Sequence, residues 1–479
     1  MAVDTVTAPT KTHEEIVKAG EGSGAKSHDA IACAAQDGYA PGTQLTSKAS
    51  RESSATQTSQ LVDSGVLHRC EIFQPKDTVS HAVDSAAGAH PDADDKQQHI
   101  EKMLAQNPAL KAQVAEMRDH LSRIADPKAR AEGEKGLDAM LQRGTDEYKR
   151  DGSAEEQACN PVLSQEKISE TLHSLNTAMS ADASALSPMT GANPEERAAN
   201  RDLIIAQALR NYGDTRGIQQ GDHRTCEVDS KIADEARYNP QISAEMIERT
   251  LTSKNGTVMM PDGKTPIKLD ASWMLPDEEA RQATGGEKAH GMSADVRLLT
   301  GLYANAVTQT RPGGFSMIFT MASDGKGAVG PDDTGDRLLV MDSRQPMQLN
   351  DGSDVDNPVI GGDDFLRLSK MTGDGGVLAA NGKAAGIQAG KDDPNFVDVS
   401  SEQDLVDAIQ KFGRVQVGLN AKTLFQEHGI NDLEGTHITS ATAFRRGPDG
   451  KLQFQIQDTN EGTSGWYSAQ TLLTAVASS

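Results

Sequence analysis

Apolar residues are spaced in three different ways along this chain, and each spacing admits one kind of structure. Up to about residue 95, Ala, Ser, Thr, Gly and Asp predominate with no lasting period. Such a segment cannot offset its ordering entropy, so residues 1–95 are expected to form a disordered polar tail with 62–67 and 71–73 as its only candidate anchors. From 96 to 215, Ile100, Met103, Leu104, Leu110, Val114, Met117, Leu121 and Ile124 recur at three- and four-residue steps, the mark of amphipathic helices. Leu137, Met140 and Leu141 extend the pattern. Ser164 is placed to cap a helix carrying Ile168, Leu172, Leu175 and Met179, and Asn193-Pro194 to start one carrying Leu203, Ile204 and Leu209. The region 96–215 therefore reads as a small helical bundle.

Beyond 216, helical and alternating stretches intermix. Thr225 can cap a helix over 226–237, Ser243 a second through Leu251, and 257–260 with 266–269 predict a hairpin. A helix follows from Ser293, then strands at 315–321 and 337–341 around an acidic, Gly-rich loop. The stretch 350–394 is irregular except for a short helix at 363–370. The pattern ends with a helix 401–412, a strand 414–419, a helix 422–428, strands 437–444 and 452–458, and a closing helix from Ser468. Helices leading into a late antiparallel sheet predict an α+β fold with a tail (1–95), a helical region (96–215) and an α+β domain (216–479).

Composition narrows the function. With 47 Lys+Arg against 70 Asp+Glu and a net charge of −23, a phosphate backbone is repelled, which argues against nucleic acid. No stretch approaches the roughly 18 apolar residues of a membrane span, and no classical signal peptide is visible, so the expectation is a cytoplasmic chain or one exported by a non-classical route. The four cysteines, Cys33, Cys70, Cys159 and Cys226, are too dispersed for a metal site or a disulfide scaffold. Three of them sit in polar segments expected to be mobile. The acidic runs 332–336 and 351–357 lack calcium-loop spacing and read as surface loops, and His223, His290 and His428 as solvated histidines. No cofactor or metal is called for.

One constellation carries chemistry. A cysteine nucleophile needs a base, a group to orient that base, and donors aimed at the oxyanion. Cys226 opens a helix, where unpaired N–H groups and the dipole favour a thiolate. Arg224 and His223 add to that, while Glu227 and Asp229 oppose it. Taken alone, a free cysteine is more often a small buried hydrophobe. His437, however, begins a strand whose antiparallel neighbour ends at Asp458, which brings an imidazole and a carboxylate together; Asn460 is the alternative orienter. Gln220, six residues before Cys226, is the candidate oxyanion donor, with Gln219 as its rival.

This order of Gln220, Cys226, His437 and Asp458, with 404–410 and 415–419 in a helix-strand place between them and Trp466-Tyr467-Ser468 opening the last helix, resembles the papain-like cysteine peptidase superfamily, in particular its bacterial C39-like branch. The resemblance covers about 216–479. It implies a papain-like fold, in which the Cys-bearing helix packs on a C-terminal antiparallel sheet, and a Cys226-His437-Asp458 triad that cleaves peptide or amide bonds of a protein or peptide substrate. The chain departs from the papain signature in Glu227, which stands where that signature has an aromatic, and in the 211 residues between Cys226 and His437. Transglutaminases and deamidases share the triad order and the acyl-thioester step, so that class stays open. A non-catalytic secreted interaction protein retaining the fold is the third reading.

Overall fold

A computed structural model describes residues 93–479 except 222, 224, 287–288, 312–316, 322–335, 345–361, 382–392, 431–434 and 461–462. The expected tail, up to residue 92, and the run 351–357 lie outside the described residues. Helix α1 (Ala93–Gln106) is followed by α2 (Pro108–Ser122), α3 (Pro127–Gln142), α4 (Asp146–Asp151), α5 (Ala154–Cys159), α6 (Gln165–Ser180) and α7 (Pro194–Gly213). Their boundaries follow local chemistry: Asn107, Asp126, Ser164 and Asn193 each accept a first-turn N–H, and three of these helices open with proline. The predicted apolar stripe from Ile100 to Ile124 is buried throughout. Helices α3 and α7 meet backbone to backbone at Gly136, where a Cβ would lie 2.4 Å from Arg210 N.

Helix α8 (Cys226–Tyr238) leads through the Asn239-Pro240 corner into α9 (Pro240–Leu251). The hairpin β1 (Thr257–Met259) and β2 (Pro266–Lys268) comes next, then α10 (Ala271–Met274), α11 (Glu278–Gln282), α12 (Ala294–Gln309) and the antiparallel pair β3 (Met317–Thr320) and β4 (Arg337–Val340). After α13 (Gly362–Thr372) come β5 (Leu378–Ala380), β6 (Phe396–Asp398), α14 (Glu402–Phe412), β7 (Val415–Asn420), α15 (Ala421–Phe425), β8 (Thr436–Arg446), β9 (Leu452–Gln457), β10 (Gly465–Ser468) and α16 (Ala469–Ala477). The fold is mixed α+β.

Its main sheet has the order β10-β9-β8-β7-β5-β6. It is mixed rather than antiparallel as expected: β5 runs parallel to both β6 and β7. The reason is the crossover through α14, whose return brings β7 back in the direction of β6. Two caps also differ from expectation. Thr225 precedes α8, but its hydroxyl donates to Asp229 Oδ2 at 2.6 Å and caps nothing. Ser243 lies inside α9, which starts at Pro240, and donates to Glu235 Oε2 at 2.8 Å.

Helix α8 is the axis of the fold. Its expected apolar face, Val228, Ile232 and Ala236, is buried, but so are Asp229, Lys231, Asp234, Glu235 and Arg237 on the other sides. Polar neighbours compensate those charges. Lys231 Nζ lies 2.6 Å from Asp374 and 3.2 Å from Glu235, and Asp234 accepts from Ser440 at 2.8 Å and Arg414 at 3.0 Å. Ser230 donates to Ile438 O on β8 at 2.6 Å, pinning the helix against the centre of the sheet. The C-terminal carbonyls of Ala236 and Arg237 accept from the buried Arg143 guanidinium at the end of α3. A single buried apolar cluster contains residues from both sides of position 215, from Ile100 to Met371. No helix of the described residues is long and apolar enough to cross a membrane.

Candidate active site

Three chain segments converge at the start of α8. Cys226 is its first residue and is 8% exposed. Its backbone N–H belongs to the first turn, where helices leave donors without partners inside the helix. His437, 5% exposed, is the second residue of β8 and pairs with Leu419 of β7. Asp458 follows the last residue of β9, and the antiparallel pairing of Ser440 with Gln457 sets the two strand ends side by side. His437 Nε2 lies 2.7 Å from Asp458 Oδ1. The Cys226 thiol is within hydrogen-bonding reach of the imidazole. With Nε2 committed to Asp458, Nδ1 is the nitrogen left for sulfur.

The carboxylate is firmly held. Asp458 Oδ2 accepts from Thr463 Oγ1 at 2.6 Å, and its N–H donates to Ser464 Oγ at 2.9 Å. Asn460, the alternative orienter, places Nδ2 3.3 Å from the same His437 Nε2 and 3.4 Å from Asp458 Oδ2. The Asp458 contact is shorter and charge-assisted, so Asp458 orients the ring and Asn460 flanks it. Phe425 of α15 meets the imidazole edge-on at 5.8 Å between centroids. Sequence reasoning passed over Phe425 and Thr463. The loop position of Thr463 carries no signal, and Phe425 reads as one more apolar residue of its helix.

Gln220 is tied to the same corner. Its N–H donates to Thr459 O at 2.9 Å, and its Oε1 accepts from Thr459 Oγ1 at 3.1 Å, next to Asp458. Its Nε2, however, donates to His223 O at 3.1 Å rather than toward the thiol. Gly221 at φ +59 turns the chain between Gln220 and the helix, a conformation that favours glycine. The rival Gln219 donates backward to Arg216 O at 3.3 Å. One Gln220 amide hydrogen is thus engaged with the loop, and the first-turn N–H of Cys226 is a second candidate donor.

Two readings need correcting. His223 is not solvated: its ring is buried, with Nδ1 2.7 Å from Asp336 Oδ2, and despite the penalty of burial that carboxylate raises its pKa. His290 and His428 are exposed, although His428 stacks on Tyr467 at 4.1 Å. Cys159 is partly buried against β9, where Gln457 Nε2 donates to its sulfur at 3.1 Å, because α5 packs on the sheet. Cys33 and Cys70 lie outside the described residues.

Electrostatics couples the three groups. Burial pushes the Cys226 thiol up to about 11, Glu227 adds to the shift, and His437 opposes it. Burial lowers the His437 pKa, but Asp458 and the neighbouring sulfur outweigh it and hold the imidazole well above its ordinary 6.5. Burial raises Asp458, and the imidazolium with its hydrogen bonds overcomes this and holds the carboxyl below 3.8. The sign of the linkage follows. The depressed carboxyl contributes stability present above pH 3.8 and lost as pH falls through its folded value, and the raised imidazole contributes stability present below pH 6.5 and lost as pH rises through its own. Thermal unfolding of Asp458→Asn beside the wild type should show the largest stability difference between pH 3.8 and 6.5, narrowing on both sides. A difference independent of pH would dissolve the pair.

Comparison of the chain with protein-family models, with curated proteins and with solved structures returned no match. The chemistry of the site thus rests on its own geometry.

Proposed function

We propose that the chain is a thiol-dependent hydrolase, a cysteine peptidase of papain-like layout that cleaves peptide or amide bonds through Cys226, His437 and Asp458. The observation that carries this reading is the His437 Nε2 to Asp458 contact of 2.7 Å, which turns the other face of the imidazole to a thiol at the start of a buried helix. In the neutral form of His437, Nδ1 takes the thiol proton, and the sulfur attacks the carbonyl carbon while the C=O pair moves to oxygen. The first-turn N–H of Cys226 donates to that oxyanion. Collapse breaks the C–N bond, and the amine leaves with the proton from Nδ1. Water, deprotonated by His437, then hydrolyses the thioester and restores the thiol. Asp458 holds the ring orientation and steadies the imidazolium throughout.

A peptidyl chloromethyl ketone, followed by peptide mass spectrometry, tests the reading. Labelling is expected at Cys226 in preference to Cys33, Cys70 and Cys159, and His437→Ala should slow it roughly 100-fold, the range of a lost general base. Equal labelling of the four cysteines, or labelling indifferent to His437, would sink the proposal.

A further inference from the structure

The thiol has a second hydrogen-bond partner besides the imidazole. Cys226 Sγ donates to Oε2 of the adjacent Glu227 at 3.3 Å, with His437 within reach beside it. Glu227 is half-buried, and burial raises its pKa, with the Asp364 carboxylate at the start of α13 adding to the shift. Asp364 is itself paired with Arg311 at 2.7 Å and Arg367 at 2.5 Å. A glutamate in a first helical turn ordinarily serves the helix dipole. That role requires no contact with sulfur.

We infer that Glu227 is a positioning residue that holds the Cys226 proton in the resting chain and competes with His437 for it. The inference rests on the reading of Cys226 and His437 as the working pair. The titratable groups facing the thiol are Glu227 on its own helix and His437 from β8, with Asp458 behind the imidazole and Asp364 behind Glu227. A carboxylate at this distance disfavours a second negative charge on sulfur, and its oxygen competes with the imidazole for the S–H. Activation therefore includes one rearrangement before chemistry: the S–H turns from Glu227 Oε2 to the imidazole. No covalent bond changes in that step. Only the hydrogen-bond acceptor does.

The pH dependence of Cys226 alkylation by iodoacetamide, followed on the full chain by mass spectrometry, tests this. Glu227→Gln keeps the shape of the side chain and removes its charge. It should lower the midpoint by about one pH unit and speed alkylation at pH 7.5 about tenfold. Glu227→Ala, which removes charge and acceptor together, should move the midpoint the same way and serves if the glutamine variant does not fold. His437→Ala should move it upward. Unchanged midpoints in both Glu227 variants, with His437→Ala still shifting, overturn the inference and leave the triad. A midpoint indifferent to His437→Ala removes the working pair and the inference with it. A purely helix-stabilising Glu227 would lower the unfolding temperature without moving the midpoint, and that result also counts against the inference.

Discussion

Cys226→Ala and His437→Ala are each expected to lower peptide or amide hydrolysis by on the order of 10⁴-fold or more, and the double variant to be little worse than either single one. The non-additivity is the informative part. A nucleophile is useless without its base, and the base has no proton to take without the nucleophile, so removing one cancels the other. The stability cost should stay small for Cys226→Ala, because one sulfur atom leaves a minor void at the start of α8 where the site opens toward its base. Asp458→Asn should be milder than either, since it leaves a ring partner in place while changing what that partner can accept. Initial rates on a quenched-fluorescent peptide pool, beside urea denaturation of the same preparations, measure both. Turnover retained in either purified single variant would remove the triad, and effects that multiplied would mean the two residues act separately.

Lys231→Met is expected to be the most damaging change away from the site, costing about 3–5 kcal/mol in urea denaturation. Lys231 is fully buried on α8, and its ammonium stands between Asp374 at 2.6 Å and Glu235 at 3.2 Å. Burial raises Asp374, but Lys231 more than reverses that and keeps it ionised below the usual carboxylate range. Methionine fills the space and leaves two carboxylates facing each other without a cation. They then take up protons on folding, so the loss should be smaller at pH 5 than at pH 8. Triple replacement of Lys231, Glu235 and Asp374 by apolar residues of similar volume should recover much of the loss. A cost below about 1 kcal/mol for Lys231→Met would mean that water reaches the cluster.

Much of the local structure was legible in the chain. The stripe from Ile100 to Ile124, the Ser164 cap, the helices beginning near Ser401 and Ser468 and the strand pair 437–444 with 452–458 all depend on contacts within a few residues. His437 and Asp458 were predicted as neighbours for the same reason, because a hairpin sets its own register. The start of α8 at Cys226 was also predicted, although its cap was not.

What tertiary structure alone decided is where polar groups find partners. Strand β5 lies inside the stretch expected to be irregular and β6 just beyond it, and their pairing with each other and of β5 with β7 makes them strands. The hydroxyls of Thr225 and Ser243 pass up helix capping for buried carboxylates, which cost more to leave unpaired than a helix N–H that can reach water. His223 reads as a surface histidine until Asp336, 113 residues away, reaches it. Gln220 has the right spacing for an oxyanion donor, and the turn at Gly221 also gives its amide an acceptor in His223 O. The sequence by itself marked out Cys226, His437 and Asp458 as candidates and determined which strands would bring two of them together. The meeting of α8 with that hairpin came from long-range packing, because a buried polar atom takes whichever partner the fold delivers within hydrogen-bonding distance, as Ser230 does with Ile438 O.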